Sequence, residues 1–229
     1  MAVVACFGCS WTHGATYEVG TNWVNELAKL YPEHEFFNLS MAGSSVLHSI
    51  AIMEQFKKHY NPNVTIFQIT NEGRVTYYLD DTIKKPAVLF DQKNLRLNDP
   101  LLNVHTLCLM PEQVQSINYG TLHPENAGVD TQYKQRFDLA EKYYSVMDRD
   151  KNFLLEQKVH SLYIKNNVDL AFYHTRYSIP NDVDLPCIET VLGEEQFNNY
   201  SSDGQGHHFT EEGCRWQAEY IKSLIVDKL

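Results

Sequence analysis

Uninterrupted apolar runs alternate along the chain with stretches in which apolar residues recur every three or four positions, the pattern of buried parallel strands covered by helices. Ala2 to Phe7 is such a run, closed by Gly8, and reads as a strand buried on both faces. Trp23, Leu27 and Leu30 share one face of a helix from Trp23 to Leu30. A short strand fits Glu35 to Leu39, followed by the small-residue turn Met41-Ala42-Gly43-Ser44-Ser45. Val46, Leu47, Ile50, Met53 and Phe56 then make a helical stripe that ends near Tyr60, at the breaker Asn61-Pro62-Asn63. Val64 to Ile69 is a third buried strand. Strand, helix, strand, helix, strand within about 70 residues implies right-handed crossovers and an α/β fold, a mainly parallel sheet with helices on both faces. Ligands of such sheets gather beyond the carboxyl ends of the strands.

Residues 75–145 break this rhythm. They are rich in Asn, Asp, Gln, Pro and Tyr without sustained periodicity, and read as an insertion after the third strand with irregular or helical structure of its own, a lid or an interface. The regular pattern resumes with a helix over Asp148 to Asn166, where Leu155, Val159 and Leu162 share a face, and a strand over Val168 to Tyr173. Leu185 to Glu189 fits a last short strand. A closing helix from about Thr210 to Val226 spaces Cys214, Ala218, Ile221 and Ile225 along one face. The whole reads as a single domain over residues 1–229 with one insertion.

Composition narrows the classes. With 43% hydrophobic and 21% charged residues the chain is globular rather than disordered or fibrous. Its 29 acidic against 19 basic residues set a field that repels phosphate backbones and anionic membranes, so neither nucleic acid nor membrane is expected as a partner. No apolar stretch approaches the roughly 18 residues of a membrane span. Cys6, Cys9, Cys108, Cys187 and Cys214 are scattered and contain no CxxC pair, which with the lack of a signal-peptide pattern points to reduced thiols and a cytoplasmic location.

Four segments carry candidate chemistry. In Gly8-Cys9-Ser10-Trp11-Thr12-His13-Gly14, Ser10 stands just beyond the first strand, where its hydroxyl can face the ligand crevice and its N–H can meet an anion; an ordinary turn with a capping serine is the plain alternative. Cys9 is either a second nucleophile or a packed thiol. Gly43 follows the second strand and can bring its N–H close to a bound oxygen, or simply ease the start of a helix. Asn71 closes the third strand, either as an oxyanion donor or as a turn residue. In Asp203-Gly204-Gln205-Gly206-His207-His208, an imidazole and a carboxylate precede the last helix, as a serine's activation requires. Adjacent histidines can equally be solvated or bind a metal, but no other ligand pattern supports a metal site. Trp11, His13 and the segment His174-Thr175-Arg176 are placed to line the substrate side of the crevice, Arg176 with a surface salt bridge as its alternative. Tyr77, Tyr78, Tyr119, Tyr143 and Tyr144 can stack on sugars, bury a homo-oligomer interface or pack in the core.

The order of these signals resembles the SGNH (GDSL-like) hydrolase family over most of the chain outside the insertion. Gly8-Cys9-Ser10 looks like the family's Gly-Asp-Ser, Gly43 like its second-block glycine, Asn71 like the asparagine of Gly-x-Asn-Asp, and His208 like the histidine of Asp-x-x-His. The Gly-Cys-Ser-Trp-Thr opening also resembles bacteriophage members, which would place the chain in the cytoplasm of a bacterial host. Three positions depart: Cys9 replaces the acidic residue, Ile69 the third-block glycine, and Asp203 lies five residues before His208 instead of three, where Gln205 stands.

The resemblance implies an SGNH hydrolase-like, flavodoxin-like three-layer α/β/α sandwich. It implies a serine esterase or deacylase on small acyl esters or O-acetylated carbohydrate, with no cofactor. Ser10, His208 and Asp203 would form the triad, and Ser10, Gly43 and Asn71 the oxyanion hole. A non-catalytic protein of the same fold that binds a ligand or a protein, and an acyltransferase using the same groups, are the competing readings, since function resides in the site rather than the fold.

Overall fold

The computed structural model describes residues 1–14, 21–41, 44–70, 74–78, 103–106, 114–118, 149–176, 179–180, 182–201 and 208–229. Five parallel strands form the main sheet in the order β5-β2-β1-β3-β7, comprising β1 (Val3–Phe7), β2 (Glu35–Asn38), β3 (Val64–Ile69), β5 (Val104–Thr106) and β7 (Leu170–Tyr173). β1 is central, pairing Ala5 with Phe37 on one side and with Thr65 on the other. The chain is an α/β sandwich.

The two faces follow from strand alternation. Val4 and Cys6 point to one side with Phe36, Ile66 and Phe172, into a core shared with Trp23, Val24 and Leu27 of α2 (Trp23–Leu30) and with Cys214, Ala218, Ile221 and Ile225 of a C-terminal helix. Ala5 and Phe7 point to the other with Phe37, Phe67 and Tyr173, against Ile52, Met53 and Phe56 of α3 (Val46–His59) and Ile164 of α4 (Arg149–Asn167). Between these elements lie α1 (Ser10–His13), α5 (Ile188–Leu192) and α6 (Glu194–Asn199), and the C-terminal helix is α7 (Glu211–Ile225). Side-chain caps start α2, α3 and α7: Asn22 accepts from Asn25 N–H, Ser45 from His48 N–H and Thr210 from Gly213 N–H, each satisfying an orphan first-turn donor.

The expected strands and helices around β1, β2 and β3 form within a residue or two of their expected limits. Three expectations are corrected. The stretch 75–145 is not irregular or helical throughout: Val104–Thr106 joins the main sheet beside β2, and β4 (Arg74–Tyr78) pairs antiparallel with β6 (Val114–Asn118) in a ribbon that packs on α3. Leu185–Glu189 is not a strand. Cys187 makes only an isolated bridge to Tyr173, Pro186 lacks the N–H a ladder needs, and α5 begins at Ile188.

The third concerns α4. Leu155, Val159 and Leu162 do share a face, but that face is solvent-exposed, at 59%, 56% and 40% of their surface. The sheet end offers polar partners instead: Gln157 Nε2 donates to the Thr70 carbonyl at 3.1 Å, and Tyr173 Oη–H donates to Ser161 Oγ at 2.6 Å. These bonds turn Gln157, Ser161 and Ile164 inward. Ile164→Ala is therefore expected to cost about 2–4 kcal/mol, whereas Val159→Lys is expected to stay within about 0.5 kcal/mol of wild type. Urea unfolding of the two variants measures both, and equal losses would contradict this helix orientation.

Candidate functional site

Where β1 ends, the chain turns through Gly8 and Cys9 into α1, so Ser10 opens a helix at the carboxyl edge of the central strand. Cys9 is extended at the helix start and its side chain makes no capping bond. Gly14 ends the helix at φ 79°, a conformation that suits glycine, with its N–H on the Ser10 carbonyl at 3.0 Å.

Gly8 is required for a different reason. A Cβ there would overlap Thr12 Oγ1 and lie 3.1 Å from Gln68 Cβ. Thr12 uses that space to donate to Gln68 Oε1 while accepting from Trp23 Nε1 at 3.3 Å. The Gly8 carbonyl collects Ser44 Oγ at 3.0 Å, Ser49 Oγ at 3.3 Å and Met41 N–H at 3.4 Å. Asn38 Nδ2 donates to the Thr12 carbonyl at 3.0 Å, and its Oδ1 accepts from Ser40 N–H and Oγ–H. The edge of three strands is thus one bonded polar floor.

His13 joins it. Its Nδ1 lies 3.1 Å from the Ser40 carbonyl, which can only accept, so Nδ1 carries a proton. Burial lowers its pKa, with the Ser40 carbonyl pulling the other way, and the neutral ring keeps a lone pair on Nε2.

Trp11 links this floor to the C-terminal part of the chain. Its indole lies 3.4 Å from the His174 ring, 5.1 Å from the His208 ring and 5.8 Å from Phe209, centre to centre. His208 is held from behind: Phe209 bridges to Ser201, and Thr210 N–H donates to the Tyr200 carbonyl at 2.6 Å before capping α7. Ser10 and His208 therefore belong to one end of the sheet, joined through Trp11. Among the described residues no hydrogen bond connects the two directly.

Arg176 does not stand free. Its Nε donates to Glu189 Oε1 at 2.9 Å, its backbone N–H to Glu189 Oε2 at 2.7 Å, and its Nη2 reaches Glu194 at 3.4 Å. Those carboxylates raise its pKa further. Cys9 is fully buried. The expected site residues Gly43, Asn71 and Asp203 lie outside the described residues. Among the described residues no three His, Cys, Asp or Glu side chains gather as metal ligands, and no helix is long and apolar enough to cross a membrane.

Two buried histidines remain: His174, expected within His174-Thr175-Arg176 to line the substrate side of the crevice, and His48, which the sequence did not single out. His174, at the carboxyl end of β7, is 3% exposed, and among the described residues neither ring nitrogen has a hydrogen-bond partner. Burial, and secondarily the charge of His208, push its pKa well down. His48, in the first turn of α3, is fully buried and likewise unpartnered, and burial lowers its pKa to about 4. Nothing in the local pattern marks His48. Gln68 did carry a signal, as a polar residue inside the otherwise apolar end of β3.

No family model matches the chain, and no curated protein or solved structure matches it either.

Because the unfolded chain would protonate His48 near its ordinary pKa of 6.5, it binds more protons than the folded chain between pH 6.5 and about 4. Folding stability is then fully present above pH 6.5 and falls as the pH drops to about 4. The loss is on the order of 3 kcal/mol from this residue. His48→Leu is expected to flatten this part of the profile, as measured by urea midpoints at pH 7 and pH 4.5. An unchanged slope in the variant would refute the assignment.

Proposed function

We propose that the chain is a serine hydrolase acting on small acyl esters or O-acetylated carbohydrate, with Ser10 as nucleophile and His208 as general base. The observation that carries this reading is the placement of Ser10, at the start of a helix on the carboxyl edge of the central strand, with His208 tied to the same edge through Trp11. In this mechanism His208 takes the Ser10 hydroxyl proton as Oγ attacks the ester carbonyl. The imidazolium then protonates the leaving alkoxide, and water repeats the attack on the acyl-enzyme.

Negative charge develops on the carbonyl oxygen in both steps. The first N–H groups of α1 have no intrahelical acceptor, and Cys9 supplies no cap to them, so the Ser10 N–H is available as one oxyanion donor. The roles of Gly43 and Asn71 in that hole, and of Asp203 as the carboxylate on His208, rest on the family resemblance. His13 and Trp11 would form the near wall of the substrate crevice. Arg176 serves better as a structural clamp on α5 and α6, since its guanidinium is held by two glutamates.

A second reading, a non-catalytic binding protein of the same fold, is favoured by two departures from the family pattern: Ile69 in place of the third-block glycine, and Asp203 lying five residues before His208. The hydrolase reading is preferred because Ser10, Gly43, Asn71 and His208 all stand at the positions that the family resemblance requires. An acyltransferase would use the same groups with a different acceptor.

Treatment with an organophosphonate, followed by peptide mass spectrometry, is expected to place one adduct on Ser10. p-Nitrophenyl acetate turnover should drop at least about 10³-fold in Ser10→Ala. Folded protein without an adduct and without turnover of short acyl esters would rule the hydrolase out. Product partition with an added alcohol acceptor separates hydrolysis from transfer.

A further inference from the structure

We propose that His174 is a positioning residue: its ring holds Ser10 and His208 in register by clamping the chain neighbour of each, Trp11 and Phe209. The inference rests on the hydrolase reading of the same site and adds a residue to it.

Four aromatic rings from four separate segments meet here. Trp11 comes from α1, His174 from the end of β7, Phe197 from α6, and Phe209 from the bridge before α7. His174 touches all of the others, with ring centres 3.4 Å from Trp11, 4.8 Å from Phe209 and 5.3 Å from Phe197. Trp11 and Phe209 are themselves 5.8 Å apart and nearly perpendicular, at 88°, so the imidazole fills the angle between them. Ser10 precedes Trp11, and His208 precedes Phe209. Any change in the width of this wedge moves the two proposed catalytic residues relative to each other.

The backbone of His174 is fixed independently of its ring. Its carbonyl accepts from Glu189 N–H at 3.1 Å, and the adjoining Tyr173 N–H donates to the Pro186 carbonyl at 2.8 Å. The wedge is therefore mounted on the end of β7 rather than on the segments that carry Trp11 and Phe209. Among the described residues its two ring nitrogens make no hydrogen bond. The ring acts through its body, and its nitrogens are not part of proton transfer.

The rate constant for phosphonylation of Ser10 tests this, because it measures attack by the nucleophile separately from how many molecules are folded. His174→Ala removes the wedge. Its maximal labelling rate constant should fall at least tenfold, with the half-saturating probe concentration within twofold of wild type and the final adduct still near one per chain. His174→Phe keeps a ring and should label within threefold of wild type. A role in stability alone would lower the final adduct and leave the rate constant unchanged, and that result overturns the proposal. So does wild-type labelling in folded His174→Ala. If His174→Ala does not fold, His174→Phe decides. Wild-type-like labelling in that variant supports the clamp, and loss of labelling in folded His174→Phe shows that the nitrogens matter and overturns it. Absence of any adduct on the wild-type chain is a different failure, since it removes the hydrolase reading itself. Tryptophan emission then still reports the wedge, through a shift in His174→Ala that is missing when Trp11→Phe is also present.

Discussion

The close approach of Thr12 to the backbone at Gly8 is the contact on which the rest of the site depends. With no side chain in the way, Thr12 folds back over Gly8 to reach Gln68, and α1 is anchored to β3 within one turn of leaving β1. On its other side the Gly8 carbonyl gathers a backbone amide and two serine hydroxyls from the loop and helix that follow β2. Three strand ends are thereby fixed by one residue that has no side chain. Such a bonded polar cluster in a buried setting is rigid, because breaking any one bond strands a partner out of water.

Much of this was legible in the sequence, for physical reasons that differ by element. β1 and β3 are buried on both faces and so read as continuous apolar runs, and α2 and α7 present single apolar stripes to one core. α4 misled because its stripe is genuine but points outward. The sheet end beneath it supplies a carbonyl and a phenol, and those favour Gln157 and Ser161 over leucine and valine. β5 was unreadable, since three residues carry no periodicity and their pairing with β2 is long-range.

The candidate site divides similarly. Ser10 and His208 were legible because a strand end and a helix start locate them, whatever the rest of the fold does. His174 was legible only as a residue beyond a strand end, since its ring contacts come from segments up to almost two hundred residues apart in sequence. Arg176 was correctly placed at a strand end, yet sequence alone leaves open which of its possible partners it meets. The two glutamates that hold it belong to helices whose positions depend on the turn at Pro186.

The short strand β5 has a consequence for how the rim can vary. It lies within the stretch that breaks the strand-helix rhythm, yet it covers the backbone of β2 from Phe36 to Asn38 on the outer side of the sheet. Excising that stretch as a block would leave β2, with Phe36 and Phe37, as a bare edge open to pairing with another molecule. Val104–Thr106 is therefore tied to the sheet even though the stretch that contains it breaks the strand-helix rhythm.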